Sequence, residues 1–164
     1  MERELDAVES NMIQYDQLGT ARICYVFFVD SNEQITTAKL EDAMTILVKR
    51  HALLRMCVRQ VNGKFHWKEI EDSKMDIQVD SSTDWNLPFS QGVGTAFDTE
   101  NGPLWRIRLM PNVNSEFFDA SYRFHAAIMF HFQHSIIDGM GKKYDYNFVG
   151  LYIYFFHMYM YETT

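Results

Sequence analysis

Residues 120–132 alternate strictly, and that alternation limits what the chain can become. Tyr122, Phe124, Ala126, Ile128, Phe130 and Phe132 fall on one side of an extended backbone. Arg123, His125, Ala127, Met129 and His131 fall on the other. A period of two over that length predicts a long strand with two unequal faces. It runs straight into Gln133-His134-Ser135-Ile136-Ile137-Asp138-Gly139, so the strand delivers a histidine into a turn at its C-terminal end.

The remaining segments supply partners for such a strand. Ile23, Tyr25, Val26, Phe27, Phe28 and Val29 make residues 20–30 a second strand, rich in β-branched and aromatic side chains. Before it, a polar lead-in allows a helix around Ala7 to Tyr15. Leu40, Ala43, Met44, Leu47 and Val48 recur at three- and four-residue steps, which predicts a helix from about Thr37 to Leu53. Asn62-Gly63 between 54–61 and 64–70 predicts a hairpin, because both residues tolerate positive φ. Short strands are expected near 75–79 and at 104–110. Between them, 84–96 holds Pro88 and two glycines and reads as turns with at most a short helix. The order β-α-ββ-β-(α)-β-β predicts an α/β fold, a mixed β-sheet with flanking helices.

A chain of 164 residues with 47% hydrophobic content is long enough for one domain with a buried core. Its net charge of −7 argues against a nucleic-acid surface, which needs clustered Lys and Arg. Cys24 and Cys57 sit in separate apolar segments without metal-ligand spacing and are expected as buried, reduced thiols. The charged N-terminus, Met1-Glu2-Arg3-Glu4-Leu5-Asp6, lacks a signal-like apolar region, so a cytoplasmic location is expected.

His134 is the candidate general base, since an imidazole titrates near neutral pH in its ordinary state. Asp138 is spaced to brace the turn that carries it, and Gly139 permits backbone angles that other residues avoid. Three bland or competing readings stand beside this one. His134 would equally serve as a strand-end histidine bonded to Asp138. Strand geometry sets His125 and His131 roughly 20 Å apart, too far to share one zinc ion; His131-x-x-His134 with Asp138 is left as a disfavoured ligand set, and no metal is expected. Ser135 adjoins its supposed base and no G-x-S-x-G elbow is present, which excludes a serine hydrolase.

The pattern H-x-x-x-D-G at 134–139 resembles the motif of the chloramphenicol acetyltransferase-like superfamily, which includes condensation domains and alcohol O-acetyltransferases. Three further segments resemble the same superfamily in order. Arg50-His51-Ala52-Leu53-Leu54-Arg55 is similar to the R-H-x-x-L-R segment of condensation domains. Gly102-Pro103-Leu104-Trp105-Arg106 is similar to a G-P-L-[FW]-R strand. Arg3-x-Leu5-x-x-x-Glu9 resembles the opening of the alcohol O-acetyltransferase branch. One departure is Gln133, where many members of the family carry a first histidine.

The resemblance implies a single acyltransferase lobe over 1–141 that moves an acyl group from a thioester to an alcohol or amine. The thioester would be acyl-coenzyme A or an acyl-carrier protein, a co-substrate and not a tightly held cofactor. His134 would take the proton from the acceptor. Asp138 would pair with an arginine, Arg55 first and Arg50 second. Gly139 would bring its N–H to the oxyanion. Gln133, His131 and Ser135 would flank the base along a substrate channel. In the family the site lies between two lobes. Either copies of this chain associate to close the channel, or the chain is a non-catalytic half-domain serving as a binding or dimerisation module.

Residues 142–164 differ from the rest: nine of these 23 residues are Tyr or Phe. Three readings stand. The apolar run is shorter than the roughly 20 residues of a membrane span, and no span is expected. It would otherwise be a buried or interfacial aromatic helix. Or it is translated non-coding sequence, since Tyr, Phe, Lys, Asn, Ile and Met are what AT-rich triplets encode and Gly141-Lys142 can be written GGTAAG. On the last reading the tail stands outside the fold.

Overall fold

The computed structural model describes residues 2–70 and 74–138, with the backbone alone for 137 and 138. The segment 142–164, and with it the question of what the aromatic tail is, lies outside the described residues, as does Gly139.

The chain opens with β1 (Arg3–Glu4) and α1 (Ala7–Gln17). Asp6 caps α1 through a full capping box with Glu9, two orphan donors satisfied reciprocally. Arg3 then grips the same Glu9 carboxylate with both terminal nitrogens, at 2.8 and 2.5 Å. The Arg3, Leu5 and Glu9 pattern is therefore a local staple: Leu5 is buried and the charged pair flanks it. Next come β2 (Arg22–Ser31) and α2 (Thr37–Arg50).

The helix predicted to reach Leu53 ends at Arg50. His51 is extended at φ −111°, ψ 104°, and Ala52–Arg55 forms a separate 3₁₀ turn. There the Leu54 carbonyl accepts the indole N–H of Trp105 at 2.9 Å, a tertiary bond that a continued helix would compete with. The hairpin β3 (Met56–Val61) and β4 (Lys64–Glu69) turns at Asn62-Gly63, both with positive φ (51° and 79°).

The short strand β5 (Ile77–Val79) precedes α3 (Asn86–Gly94), and β6 (Trp105–Met110), β7 (Phe124–Gln133) and α4 (Ser135–Asp138) complete the described chain. The ambiguous 84–96 segment is thus a nine-residue helix. Pro88 sits within its first turn, where a missing N–H leaves no intrahelical bond unmade.

The strands divide into two sheets. One is antiparallel with order β1-β4-β3; the other has order β2-β7-β6-β5, with β5 parallel to β6 and the remaining pairs antiparallel. β7 is an interior strand, paired with β2 along ten residues and with β6 along six. That explains its apolarity on both faces. It begins at Phe124, not Ala120, because 120–123 belong to the preceding loop.

On one face Phe130, Phe132, Ile128 and Ile107 meet Leu40, Met44 and Leu47 of α2. Each such buried side chain contributes about 1.5–3 kcal/mol. On the other, Ala127 and Met129 pack with Met110, Val26, Phe28, Trp85 and Phe89, the last from α3. α3 thus covers the face opposite α2, whereas Ile13 of α1 joins the core that α2 covers. The architecture is α/β, as the sequence order predicted.

Candidate active site

β7 ends beside the start of β2, where Gln133 stands opposite Arg22 in the ladder. One residue later the chain leaves the sheet. The backbone N–H of His134 donates to the Ala21 carbonyl at 3.1 Å, and α4 begins at once. His134 is half-buried at this strand-to-helix turn.

The residues on either side hold the turn. Gln133 is fully buried, and its backbone N–H donates to the Leu104 carbonyl at 2.9 Å. Its side-chain Nε2 donates to the Met12 carbonyl in α1, also at 2.9 Å. Its Oε1 accepts the backbone N–H of Ser135 at 2.6 Å and the Ser135 hydroxyl as well. One amide therefore ties the last strand residue to α1 and to the first turn of α4. Gln133 in place of a histidine leaves no packing defect here. Ser135, equally buried, is committed to Gln133.

His131 takes a different place. It is 1% exposed, beneath α3, with Cys24 and Arg106 as its ladder neighbours. Burial pushes its imidazole down to about 4, and the Arg106 and Arg108 guanidinium groups add to that shift. Cys24 Sγ stands 3.8 Å from its Nε2. Of the three expected channel residues, Gln133, His131 and Ser135, all are interior in this structure.

Arg55 donates from Nε to Glu69 at 3.0 Å and from Nη1 to the Val48 and Lys49 carbonyls at 2.6 and 3.0 Å. It caps the C-terminal end of α2, where a cation also meets the helix dipole favourably. Arg50 is the exposed last residue of that helix. The Asp138 carboxylate, for which one of them was the expected partner, lies outside the described side chains.

A buried pair escaped the sequence reading. Arg22 Nε meets Asp16 Oδ1 at 2.6 Å, with side-chain exposures of 4% and 2%. The same guanidinium donates to the Asp16, Val93 and Gly94 carbonyls. It binds the ends of α1 and α3 to the strand start opposite Gln133. A charged residue at a strand's first position carries no sequence signal for such a role. Among the described residues no group of three or more His, Cys, Asp or Glu is placed to hold a metal ion. None of their helices is long and apolar enough to cross a membrane.

No family model matches the chain, and no curated protein does. Solved structures do share its fold. The starter condensation domain of rhizomide synthetase RzmA superposes with a TM-score of 0.68 at 14% identity, over 97% of this chain and 39% of that one. The condensation domain of the Monacolin K polyketide synthase MokA gives 0.59 at 14% identity, over 81% and 30%. A mutant of the RzmA domain, solved in complex with C8-CoA, gives 0.61 at 14% identity, over 82% and 31%. The chain spans less than two fifths of the RzmA domain's length. Its fold is that of part of a condensation domain, the chloramphenicol acetyltransferase-like fold.

Proposed function

We propose that this chain is the histidine-bearing lobe of an acyltransferase. It would pass an acyl group from a thioester, on coenzyme A or a carrier protein, to an alcohol or amine. The carrying observation is His134 at a braced strand-to-helix turn within a condensation-domain fold. The C8-CoA complex of the RzmA mutant supports a thioester as donor. An alcohol is preferred as acceptor solely on the resemblance of Arg3-x-Leu5-x-x-x-Glu9 to the alcohol O-acetyltransferase branch.

In this mechanism the imidazole of His134 accepts the proton of the acceptor O–H or N–H as that atom attacks the thioester carbonyl. The new bond makes a tetrahedral oxyanion, toward which the Gly139 N–H is assigned. Collapse breaks the C–S bond, and the departing thiolate recovers the proton from the imidazolium. Positioned proton transfer of this kind contributes roughly 10²–10⁴-fold. Asp138 has no part in the bond changes; its assigned task is to hold the turn, with Arg55 or Arg50 as partner. The buried Gln133–Ser135 and Arg22–Asp16 contacts already brace that turn from the α1 side.

The test is thiol release from acetyl-coenzyme A by the purified protein with a panel of short alcohols, beside its His134→Ala variant. Release that requires an acceptor and falls at least a hundredfold in the variant is expected. Equal release from two folded proteins would overturn the catalytic reading and leave a binding or dimerisation half-domain. Sedimentation of the same samples would show whether copies associate to cover His134.

A further inference from the structure

The far end of β7 carries a second histidine in an organised setting. His125 Nδ1 lies 2.7 Å from Asp30 Oδ1, across the first rungs of the β2–β7 ladder. Asp30 Oδ2 accepts the backbone N–H of Asp119 at 2.9 Å, so one carboxylate holds both the imidazole and the loop before β7. Phe118 lies over the imidazole with ring centroids 4.9 Å apart. A neutral His125 donates its Nδ1 proton to Asp30, which leaves a lone pair on Nε2.

His125 lines a shallow groove of about 550 Å³ that the 113–120 loop walls with Val113, Ser115, Glu116, Phe118 and Ala120. That volume is in the range of small-molecule sites. Val113, Phe118 and Ala120 supply its apolar lining, and Asn114, Ser115, Glu116 and His125 its polar lining. No lysine or arginine lines it, and Asp119 adds an exposed carboxylate beside it. The lining thus carries one negative charge, from Glu116, beside the neutral Asn114 amide and Ser115 hydroxyl, and Phe118 adds an aromatic ring. His125 and His134 are nine residue steps apart along the strand, roughly 30 Å. The groove is not the site of acyl transfer.

We propose that this groove binds a small, flat organic amine. The ammonium meets Glu116, the planar body lies along Phe118, and a hydroxyl on the ligand donates to His125 Nε2. A cation is favoured over an anion by the carboxylates, and a planar body over an alkyl chain by the aromatic wall.

The probe is tyramine, titrated into the isotope-labelled protein while the His125 ring and Ala120 methyl resonances are followed. Its neutral isostere 4-ethylphenol serves as the comparison, since it keeps the ring and hydroxyl and lacks the amine. Saturable shifts with tyramine are expected, weakened at least tenfold for 4-ethylphenol and for the Glu116→Gln protein. Glu116 is exposed, so that variant leaves the fold intact. His125→Gln should weaken tyramine too, but loses the Asp30 bond; its thermal melt is recorded beside wild type. Non-saturating shifts, equal binding of 4-ethylphenol, or unchanged affinity in Glu116→Gln would each overturn the proposal. None of these readouts depends on His134.

Discussion

Gly92 of α3 rests its bare Cα against the imidazole of His131. A Cβ at position 92 would lie 2.0 Å from Cε1, 2.5 Å from Nε2 and 2.7 Å from Nδ1 of that ring. A glycine inside a helix ordinarily weakens it, by about 1 kcal/mol relative to alanine. Here it lets the helix settle onto a buried side chain. Gly92→Ala should therefore destabilise the protein by about 1–3 kcal/mol despite its better helix propensity. In a His131→Ala background the same change should be neutral or stabilising, because the clash is gone. Urea unfolding of the four proteins in the cycle checks this. A Gly92→Ala protein as stable as wild type would show that α3 is free to lift.

His131 also makes the fold sensitive to acid. Its folded-state value of about 4 lies below the ordinary 6.5, so the unfolded chain binds the extra proton first as pH falls. Its contribution is intact above about pH 6.5 and is lost between there and pH 4, at up to about 1.4 kcal/mol per pH unit. Arg106 and Arg108 face the same ring and worsen the case for a charged form. Several carboxylates held below their usual range, Asp80 and Asp98 among them, lose stability with the same sign at lower pH. The difference between wild type and His131→Gln isolates the histidine. Parallel pH–stability curves for the two would contradict the assignment.

The Arg22–Asp16 pair should be costly to break and cheap to replace. Asp16→Ala leaves a buried guanidinium without its carboxylate, an expected loss of about 3–5 kcal/mol. Replacing both residues by apolar side chains of similar volume should cost much less, since both desolvation penalties vanish together. Denaturant midpoints measure both. A mild effect of Asp16→Ala would mean that the carbonyls of Asp16, Val93 and Gly94 carry the arginine unaided.

The two cysteines are free thiols, Cys57 buried and Cys24 half-buried. Burial pushes the Cys24 thiol up to about 12, with Arg108 pulling weakly the other way. At pH 8 the reactive thiolate is then only about one part in 10⁴. Ellman's reagent should titrate neither thiol quickly in the native protein and both at once in guanidinium chloride. A fast native reaction at either cysteine would place it in a more open setting.

Local signals were readable in the sequence and pairings were not. Asn62-Gly63 needed positive φ and shows it; the stripe from Leu40 to Leu47 is the buried face of α2. The alternation over 124–132 located the central strand. By contrast, β1 has two residues and exists only because Arg3 and Glu4 meet Trp67 and His66. The helix at 86–94 was obscured by Gly92, whose reason lies on β7. The Asp30–His125 contact joins positions 95 apart, and Arg22 reaches Val93 over 71. Nothing local announces such contacts. At the candidate site, H-x-x-x-D-G drew attention to the turn, whereas the residues that brace it from α1 were invisible until the chain was folded.

β7 carries His125 at its second residue and hands the chain to His134 directly after its last. Ladders on both flanks fix its register to β2 and β6. Removing one residue between Ala126 and Phe130 would turn every side chain on one side of the gap to the opposite face. Either His125 would then leave Asp30, or His134 would lose its place beside Ala21. The two ends are thereby coupled by spelling: within this strand letters can be exchanged, but the count cannot change without disabling one end of the molecule.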